Sequence, residues 1–359
     1  MIRLMSPPAP ELAIVVHPRA ALAGRLPVLT DFVRRSAPVV PLGKHPAWLG
    51  VLHAALGHEV FALEAVAGGQ THGFLPLAHV SGPLFGRFLV SLPYLNSNGV
   101  IAASADVQSL LVSRAVTLAD ELNVRYLELR QEARVDHPDL PVAATSKVHM
   151  RRALPKTADA LWKSFDPKVR NQIRKGEKNG FAVTWGGAEQ LDAFYAVLTE
   201  NMRDLGSPVY GIGLFHEILA AFPDAAEVCV LSAAGKPAAA ALLLHGWGTT
   251  EVPTASALKE LNPTCVNMLM YWHLLKRAVE RGQAEFDFGR STADGPTFRF
   301  KKQWGATPHP AVWQYAVMDG VAAEMRPDNP RFQRAIRMWQ RLPVGLTKLL
   351  GPAIVRGIP

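Results

Sequence analysis

Three short segments concentrate the side chains able to do chemistry. The first, FDPKVRNQIRKGEKNGFAV, sets Lys168, Arg170, Arg174, Lys175 and Lys178 within eleven residues, with Glu177 the only acid among them. Asp166 followed by Pro167 suits a helix start, and Asn179-Gly180 suits its end. On that helix Arg170, Arg174 and Lys178 share a face, while Val169 and Ile173 mark the buried stripe. Guanidinium groups grip phosphate oxygens through a two-pronged fork, so such a row is a ready phosphate clamp. A solvated basic face has the same spacing.

The second segment, FDFGRSTADGPTFRFKKQWGA, places Asp287, Arg290, Ser291 and Asp294 just past an apolar strand, with Lys301 and Lys302 beyond a turn at Asp294-Gly295-Pro296. Polar residues at the carboxyl end of a strand in an α/β sheet commonly line the ligand crevice. Phe298, Phe300 and Trp304 alternate with charged residues, which reads as a strand with one of the two lysines inward. The third segment, LPYLNSNG, carries Tyr94, Asn96, Ser97 and Asn98 at another strand end; a turn would use the same residues.

Several chemistries lack their signatures. There is no glycine-rich dinucleotide fingerprint after a strand, no P-loop, no HExxH and no GxSxG. Cys229 and Cys265 have no metal-ligand spacing and read as small buried hydrophobes. His245, within AAAALLLHGW, reads as a core residue rather than a ligand. No metal and no resident cofactor are expected.

The elements that must position these segments follow from periodicity. A helix opens at Trp48 and closes at Gly57. VFALEAV and GFLPLAHV, joined by GGQTH, form a hairpin; FLVSLPYLNSNGVI is a strand with a polar end. A helix from about Ala105 to Leu122 and the strand VRYLELR complete the set. The same order then returns: helices at Leu191–Met202 and Leu214–Phe222, a hairpin of EVCVLSA and PAAAALLLHGW, the strand TEVPTASA, a helix at Asn267–Arg281, and the strand AEFDFGR. Repetition of element order without repetition of residues predicts two α/β lobes of like topology. His137-Pro138-Asp139 and Leu154-Pro155 mark the joint between them, near 136–158, as a stretch without regular structure. The expected organisation is an irregular segment at 1–40, a first lobe at 41–140, a second at 141–320 that includes the basic helix 166–180, and a tail at 321–359.

The chain has 359 residues, 49% of them hydrophobic, enough to bury a sizeable core and to exclude wholesale disorder. Lys and Arg exceed Asp and Glu by 38 to 30, a net charge of +8 that favours anionic partners. The longest apolar run, Ala238 to Leu244, is far short of the roughly 20 residues that span a bilayer. A soluble, cytoplasmic protein is expected. Past Asp328 the tail carries Arg331, Arg334, Arg337, Arg341, Lys348 and Arg356 with no acid, interleaved with Phe332, Ile336, Trp339 and Leu342. That pattern suits either a helix lying on the cytoplasmic face of an anionic membrane or one docked on its own protein.

KVRNQIRKGEKNGF, FDFGRS, TFRFKKQWGA and LVSLPYLNSNG together resemble the Fem-type (FemAB) peptidyltransferase-like family of the GNAT superfamily. The likeness covers roughly residues 40 to 320, and is strongest to the branch found beside bacterial exopolysaccharide and PEP-CTERM protein-sorting systems. The resemblance implies two tandem GNAT-like lobes, each a mixed sheet flanked by helices, and transfer of an acyl group to an amine. It implies aminoacyl-tRNA as donor and a phosphate-bearing or lipid-linked glycan precursor of the cell envelope or exopolysaccharide as acceptor. The lysine of the family's FK motif matches Lys301, with Lys302 beside it, in the place of an oxyanion-stabilising cation. Arg170, Arg174 and Lys175 would hold acceptor phosphates, with Tyr94, Asn96, Asn98, Arg290 and Ser291 as further substrate contacts. Glu128 stands where the family has an acid-proline pair, here without the proline; Glu128 and Asp287 are the candidate bases that take the amine proton. Two other readings compete: an acyl-CoA-dependent N-acyltransferase acting on a small amine, and a non-catalytic module binding tRNA or another polyanion. The string Gln70-Thr71-His72-Gly73-Phe74-Leu75 only partly matches a CoA pyrophosphate loop, and aromatic residues are scarce in the basic helix.

Overall fold

A computed structural model describes residues 11–83, 85–319 and 330–359, with side chains in the last stretch from Gln333 onward. The near-continuous apolar runs of both hairpins fold as strands buried on both faces. In the first lobe β1 (Ala13–Pro18), β2 (Glu59–Ala67), β3 (Gln70–Gly82) and β4 (Gly86–Val90) run antiparallel, and β5 (Ile101–Ala102) is a short addition to β3. Helices α1 (Leu22–Arg35) and α2 (Trp48–Leu56) precede β2; α3 (Ala105–Glu121) crosses over so that β6 (Tyr126–Gln131) lies parallel to β4. Gly57, at φ +69°, ends α2 in the left-handed conformation glycine allows most cheaply.

The second lobe repeats the plan. After β7 (Val142–Ala153), α4 (Ala158–Lys163), α5 (Pro167–Glu177) and β8 (Ala182–Gly186), helices α6 (Leu191–Leu205) and α7 (Ile212–Ala221) lead into β9 (Ala226–Ala233), β10 (Lys236–Gly246) and β11 (Thr249–Ala257). Helix α8 (Val266–Glu280) crosses over to β12 (Glu285–Thr292), parallel to β11, and α9 (Pro296–Lys302) follows. The last strand, β13 (Thr307–Val317), returns between the lobes and pairs with β6 on one side and β7 on the other. The described strands therefore form one sheet in the order β1-β2-β3-β4-β6-β13-β7-β12-β11-β10-β9-β8.

Three expectations are corrected. Within 1–40, residues 11–40 contain β1 and α1 rather than irregular chain, because His17 and Arg25 both bind the buried Glu64 carboxylate of β2 and so fix strand and helix to the sheet. Between the prolines of the supposed joint runs β7, twelve residues paired on both edges. The TFRFKK segment is the helix α9, not a strand: Pro296 takes the first helical position after the Asp294-Gly295 turn. The first ten residues and 320–329 lie outside the described residues, as do the side chains of Arg331 and Phe332 from the tail pattern.

Helices cover both faces. On one face α3 packs against Leu63, Leu75 and Leu127 of the first lobe, and α4, α5, α8 and α9 pack against Met150, Phe286 and Phe288 of the second. The opposite face carries α1, α2, α6 and α7 in one cluster that spans the two lobes, with Trp48 against Phe222 at a ring separation of 5.3 Å. Helices α10 (Pro330–Trp339) and α11 (Val344–Val355) close the described chain. Among the described residues no helix is long and apolar enough to cross a membrane.

Helix α5 approaches α8 closely because Gly176 has no side chain. A Cβ there would lie 2.8 Å from Leu269 Cβ and 3.1 Å from the Cys265 carbonyl. Gly176→Leu should therefore cost about 1–3 kcal/mol of stability through overpacking. Urea unfolding measures this; an unchanged midpoint would show that the helices do not meet at that residue.

Candidate active site

Between the helices of the second face, strands β6, β13, β7, β12 and β11 leave a row of polar residues at the junction of the lobes. Because alternate residues share a face, Glu128 and Arg130, Trp313 and Tyr315, His149 and Arg151, and Asp287, Arg290 and Glu251 all project to this side. A bulge in β12 between Asp287 and Arg290 keeps both on it.

Arg151 is the centre of the row. Its two terminal nitrogens donate to the two oxygens of Glu132 at 2.8 Å each, and its Nε donates to Asp287 Oδ2 at 2.9 Å. Burial opposes ionisation of Glu132, but the Arg151 hydrogen bonds and the nearby Lys44 ammonium hold its carboxyl well below the usual range. Asp287 Oδ1 accepts the Gly289 N–H at 2.6 Å, so both of its oxygens are engaged. The Glu128 Oε1 accepts Arg130 Nε at 2.6 Å, and Arg130 also donates to the Leu95 carbonyl at 3.1 Å.

Strands β11 and β12 pair only over Thr249–Glu251 and Glu285–Asp287, and beyond that they part. The opening is a crevice lined by Glu251, Asp287 and Gly289 of the second lobe and by Tyr94 and Asn96 from the loop after β4. Gly289, at φ +76°, has Asn96 Nδ2 only 3.1 Å from where its Cβ would stand, so the loop of one lobe closes on the strand of the other. Glu251 Oε2 accepts the Gly43 N–H at 2.6 Å, while Asn98 donates to the Gly43 carbonyl. Burial, reinforced by the Asp287 charge, pushes the Glu251 carboxyl up to about 7.

Lys301 reaches β12 from the other face. Its Nζ donates to the carbonyls of Gly289 at 3.1 Å and Arg290 at 3.0 Å, leaving one of its three N–H groups over. It is 8% exposed, and burial lowers its ammonium to about 8. Lys302 points outward, with its Nζ 5.9 Å from the centre of the Phe298 ring.

The remaining expected residues divide. Arg290 lies with its guanidinium 3.6 Å from the centre of the Trp313 ring, which Arg130 also covers at 4.1 Å. Tyr94 OH, with positive φ in its own backbone, joins His58 Nε2 at 3.1 Å and donates toward the Arg356 carbonyl at 3.2 Å. Ser291 Oγ is buried without a partner among the described residues. The basic helix lies away from this row, on the opposite face. Arg170 is turned inward and donates to the Phe165 carbonyl at 2.7 Å, Arg174 lies over Trp162, and Lys175 is exposed. The end of α5 instead adjoins the start of α8, where Asn179 Nδ2 donates to the Thr264 carbonyl at 3.3 Å. His245 is buried, with Nδ1 2.8 Å from Thr250 Oγ1.

Glu251, Arg151, Glu132 and His149 are not among the sequence candidates. His149 is wholly buried with neither ring nitrogen hydrogen-bonded among the described residues. The one signal for Glu251 is an acid inside a short strand of otherwise uncharged residues.

The arrangement is that of the GNAT acyltransferase fold, present as two lobes in tandem. Residues 163–302 match the family model described as an acetyltransferase (GNAT) domain, a span holding Glu251, Asp287 and Lys301. The crystal structure of FemX is similar at 15% identity, with a TM-score of 0.63 over 86% of this chain and 97% of that one. A tandem GNAT protein from the clavulanic acid biosynthesis pathway is similar at 11% identity and TM-score 0.54, over 87% and 100% of the two chains. The C-terminal domain of a putative lysylphosphatidylglycerol synthetase from Agrobacterium fabrum gives 13% and 0.54, over 82% and 92%. No curated protein sequence matches the chain.

The raised Glu251 group has a consequence for stability. The folded chain holds its proton up to about pH 7, whereas the ordinary value is 4.5. Unfolding therefore releases a proton between those values, and stability falls as pH rises through them. Glu251→Gln should flatten that slope in denaturant unfolding followed from pH 4 to 8; an unchanged slope would place the titration elsewhere.

Proposed function

We propose that the protein is an N-acyltransferase that joins an acyl or aminoacyl group to an amine at the crevice between β11 and β12. One observation carries the reading: a carboxyl held near neutrality and a buried ammonium stand on either side of the point where the two strands part. Glu251 takes the proton that the amine loses as its nitrogen attacks the acyl carbonyl. The new N–C bond forms, negative charge collects on the carbonyl oxygen, and the bond to the donor's oxygen or sulfur then breaks with its electron pair. The spare N–H of Lys301 meets that oxyanion, and in a dry site such a contact is far stronger than in water. Asp287 is ion-paired with Arg151 and Glu128 with Arg130, whereas Glu251 has no ion-pair partner among the described residues. That favours Glu251 over both for proton transfer and leaves Asp287 to raise its basicity.

The donor is an activated acyl group on a polyanionic carrier, either aminoacyl-tRNA or acyl-CoA. The support is the basic end of α5 with exposed Lys175 and Lys178 beside the start of α8. The acceptor is an amino group on a phosphate-bearing or lipid-linked precursor of the cell envelope or exopolysaccharide, held on the opposite face. There Arg290, free of any acidic partner among the described residues, and Tyr94, Asn96 and Asn98 flank the crevice.

With Glu251 ionised and Lys301 protonated in the working state, kcat/KM should follow a bell between limbs near pH 7 and pH 8. Glu251→Gln should lose about 10²–10⁴-fold and remove the acid limb. Lys301→Ala should lose about 10²–10³-fold. The assay offers labelled aminoacyl-tRNA and labelled acyl-CoA separately with a cell-envelope extract. Transfer undiminished in both variants would overturn the assignment; transfer from only one donor would fix the carrier.

A further inference from the structure

Helix α11 shows the reverse of what a water-facing helix requires. Thr347, Gly351 and Val355 are buried, while Leu346, Leu349, Leu350 and Ala353 face outward. The outward set follows an i, i+3, i+4, i+7 rule, so it is a continuous apolar stripe where polar residues normally stand. Leu349 is 74% exposed, and on α10 Met338 is 71% exposed. Scattered apolar residues on a surface need no explanation, but a whole helix face does.

Both helices are fixed to the body of the protein. Gln340 Nε2 donates to the Asp204 carbonyl at 3.0 Å, and Ile336 lies against Gly206 at the end of α6. Gly351 packs on the Val209 backbone, and the Lys348 ammonium sits 5.1 Å from the centre of the Tyr195 ring. The stripe is thus not a face left over from an undocked tail. Leu205, which ends α6, is itself 61% exposed.

The charges carried by α10 and α11 have one sign, and the nearby acids of α6, Glu200 and Asp204, are paired with Arg203. Arg334, Arg337, Arg341 and Lys348 are exposed, without acidic partners among the described residues, and no acid occurs between 330 and 359. Apolar side chains rimmed by unpaired arginines match an anionic lipid surface on both counts. The leucines enter the acyl boundary and the guanidinium groups meet lipid phosphates. We infer that the outer face of α10 and α11 is a peripheral docking surface for an anionic bilayer. Docking there sets the crevice beside the membrane, because the end of α11 is tied to Tyr94, which lines it. The inference does not depend on the acyl-transfer reading.

Co-sedimentation of the full chain with vesicles tests it. Binding is expected to vesicles containing about one third phosphatidylglycerol and not to phosphatidylcholine alone, and to weaken steeply between about 0.1 and 1 M salt. Leu346→Ser with Leu349→Ser, and separately Arg334→Gln with Arg337→Gln and Arg341→Gln, should each reduce partitioning by at least about tenfold. All five side chains are exposed, so the melting temperature should not move; a shift would be checked against Leu349→Gln alone. Equal binding to both vesicle types, no binding to either, or full binding by the leucine variant would overturn the inference. So would a dimer of the wild type that the leucine variant abolishes, since the occupant would then be a second copy of the chain.

Discussion

One guanidinium holds the two lobes in register. Arg151 binds Glu132, just past the end of β6, and the buried Asp287 in the second lobe's β12. A buried ionic network of this kind adds little net stability, yet loss of its central cation would strand the buried Asp287 carboxylate at a cost of about 3–5 kcal/mol. Its value lies in what it positions. With Glu132 held, Lys44 sits 3.5 Å from it and the Gly43 backbone beside it reaches Glu251. With Asp287 held by Arg151, its charge is fixed next to Glu251 on the neighbouring strand. The weakened acidity of Glu251 comes first from its burial and then from the Asp287 charge that this contact holds in place.

The sheet makes this possible through β13. Two tandem lobes, each closed on itself, would present two open strand edges to each other, and open edges invite mispairing. The return of β13 between β6 and β7 fills both edges and merges the lobes. Their junction becomes the middle of a sheet, and the polar row lies on the face that also carries α1, α2, α6 and α7. Charged side chains occupy the strip that this face's apolar cluster leaves out, for that cluster draws strand residues from β2, β3, β9 and β10 but none from β6, β13, β7 or β12. The site is thus a by-product of where two cores end.

Much of this is legible from residue order, and what is not has physical causes. Hairpins and helices are readable because apolar runs joined by glycine turns survive in EVFALEAVA and PAAAALLLHGW and a period of 3.6 survives in the α8 sequence. The strand β7 was hidden by its flanking prolines, which bound it without breaking it. In α9 the apparent alternation of Phe298 and Phe300 imitates a strand, and only the Gly295-Pro296 start argues for a helix. Lys301 was found by its resemblance to a motif; its inward direction holds on the helix as it would on a strand. Glu251 was invisible for a different reason. Its meaning depends on Asp287, 36 positions later and brought alongside only after α8 has crossed over. No local pattern encodes that pairing. The tail pattern was legible as amphipathic, but which face would be outward could be known only once α6 had claimed the other.

Burial acts on Glu251 and Lys301 in opposite senses, and the outcome bears on the proposed chemistry. A carboxyl and an ammonium ordinarily differ by six pH units, 4.5 against 10.5; here they stand at about 7 and about 8. Low polarity favours the uncharged form of each, so it raises the acid and lowers the base. A carboxylate at 4.5 would be too weak to strip a proton from an amine in flight, and one near 7 is matched to that task. A lysine at 8 remains charged at neutrality but holds its proton loosely, so its hydrogen bond strengthens most when an oxyanion forms opposite it. The same desolvation that costs stability at each residue thus supplies the pair with the reactivity that the proposed acyl transfer needs.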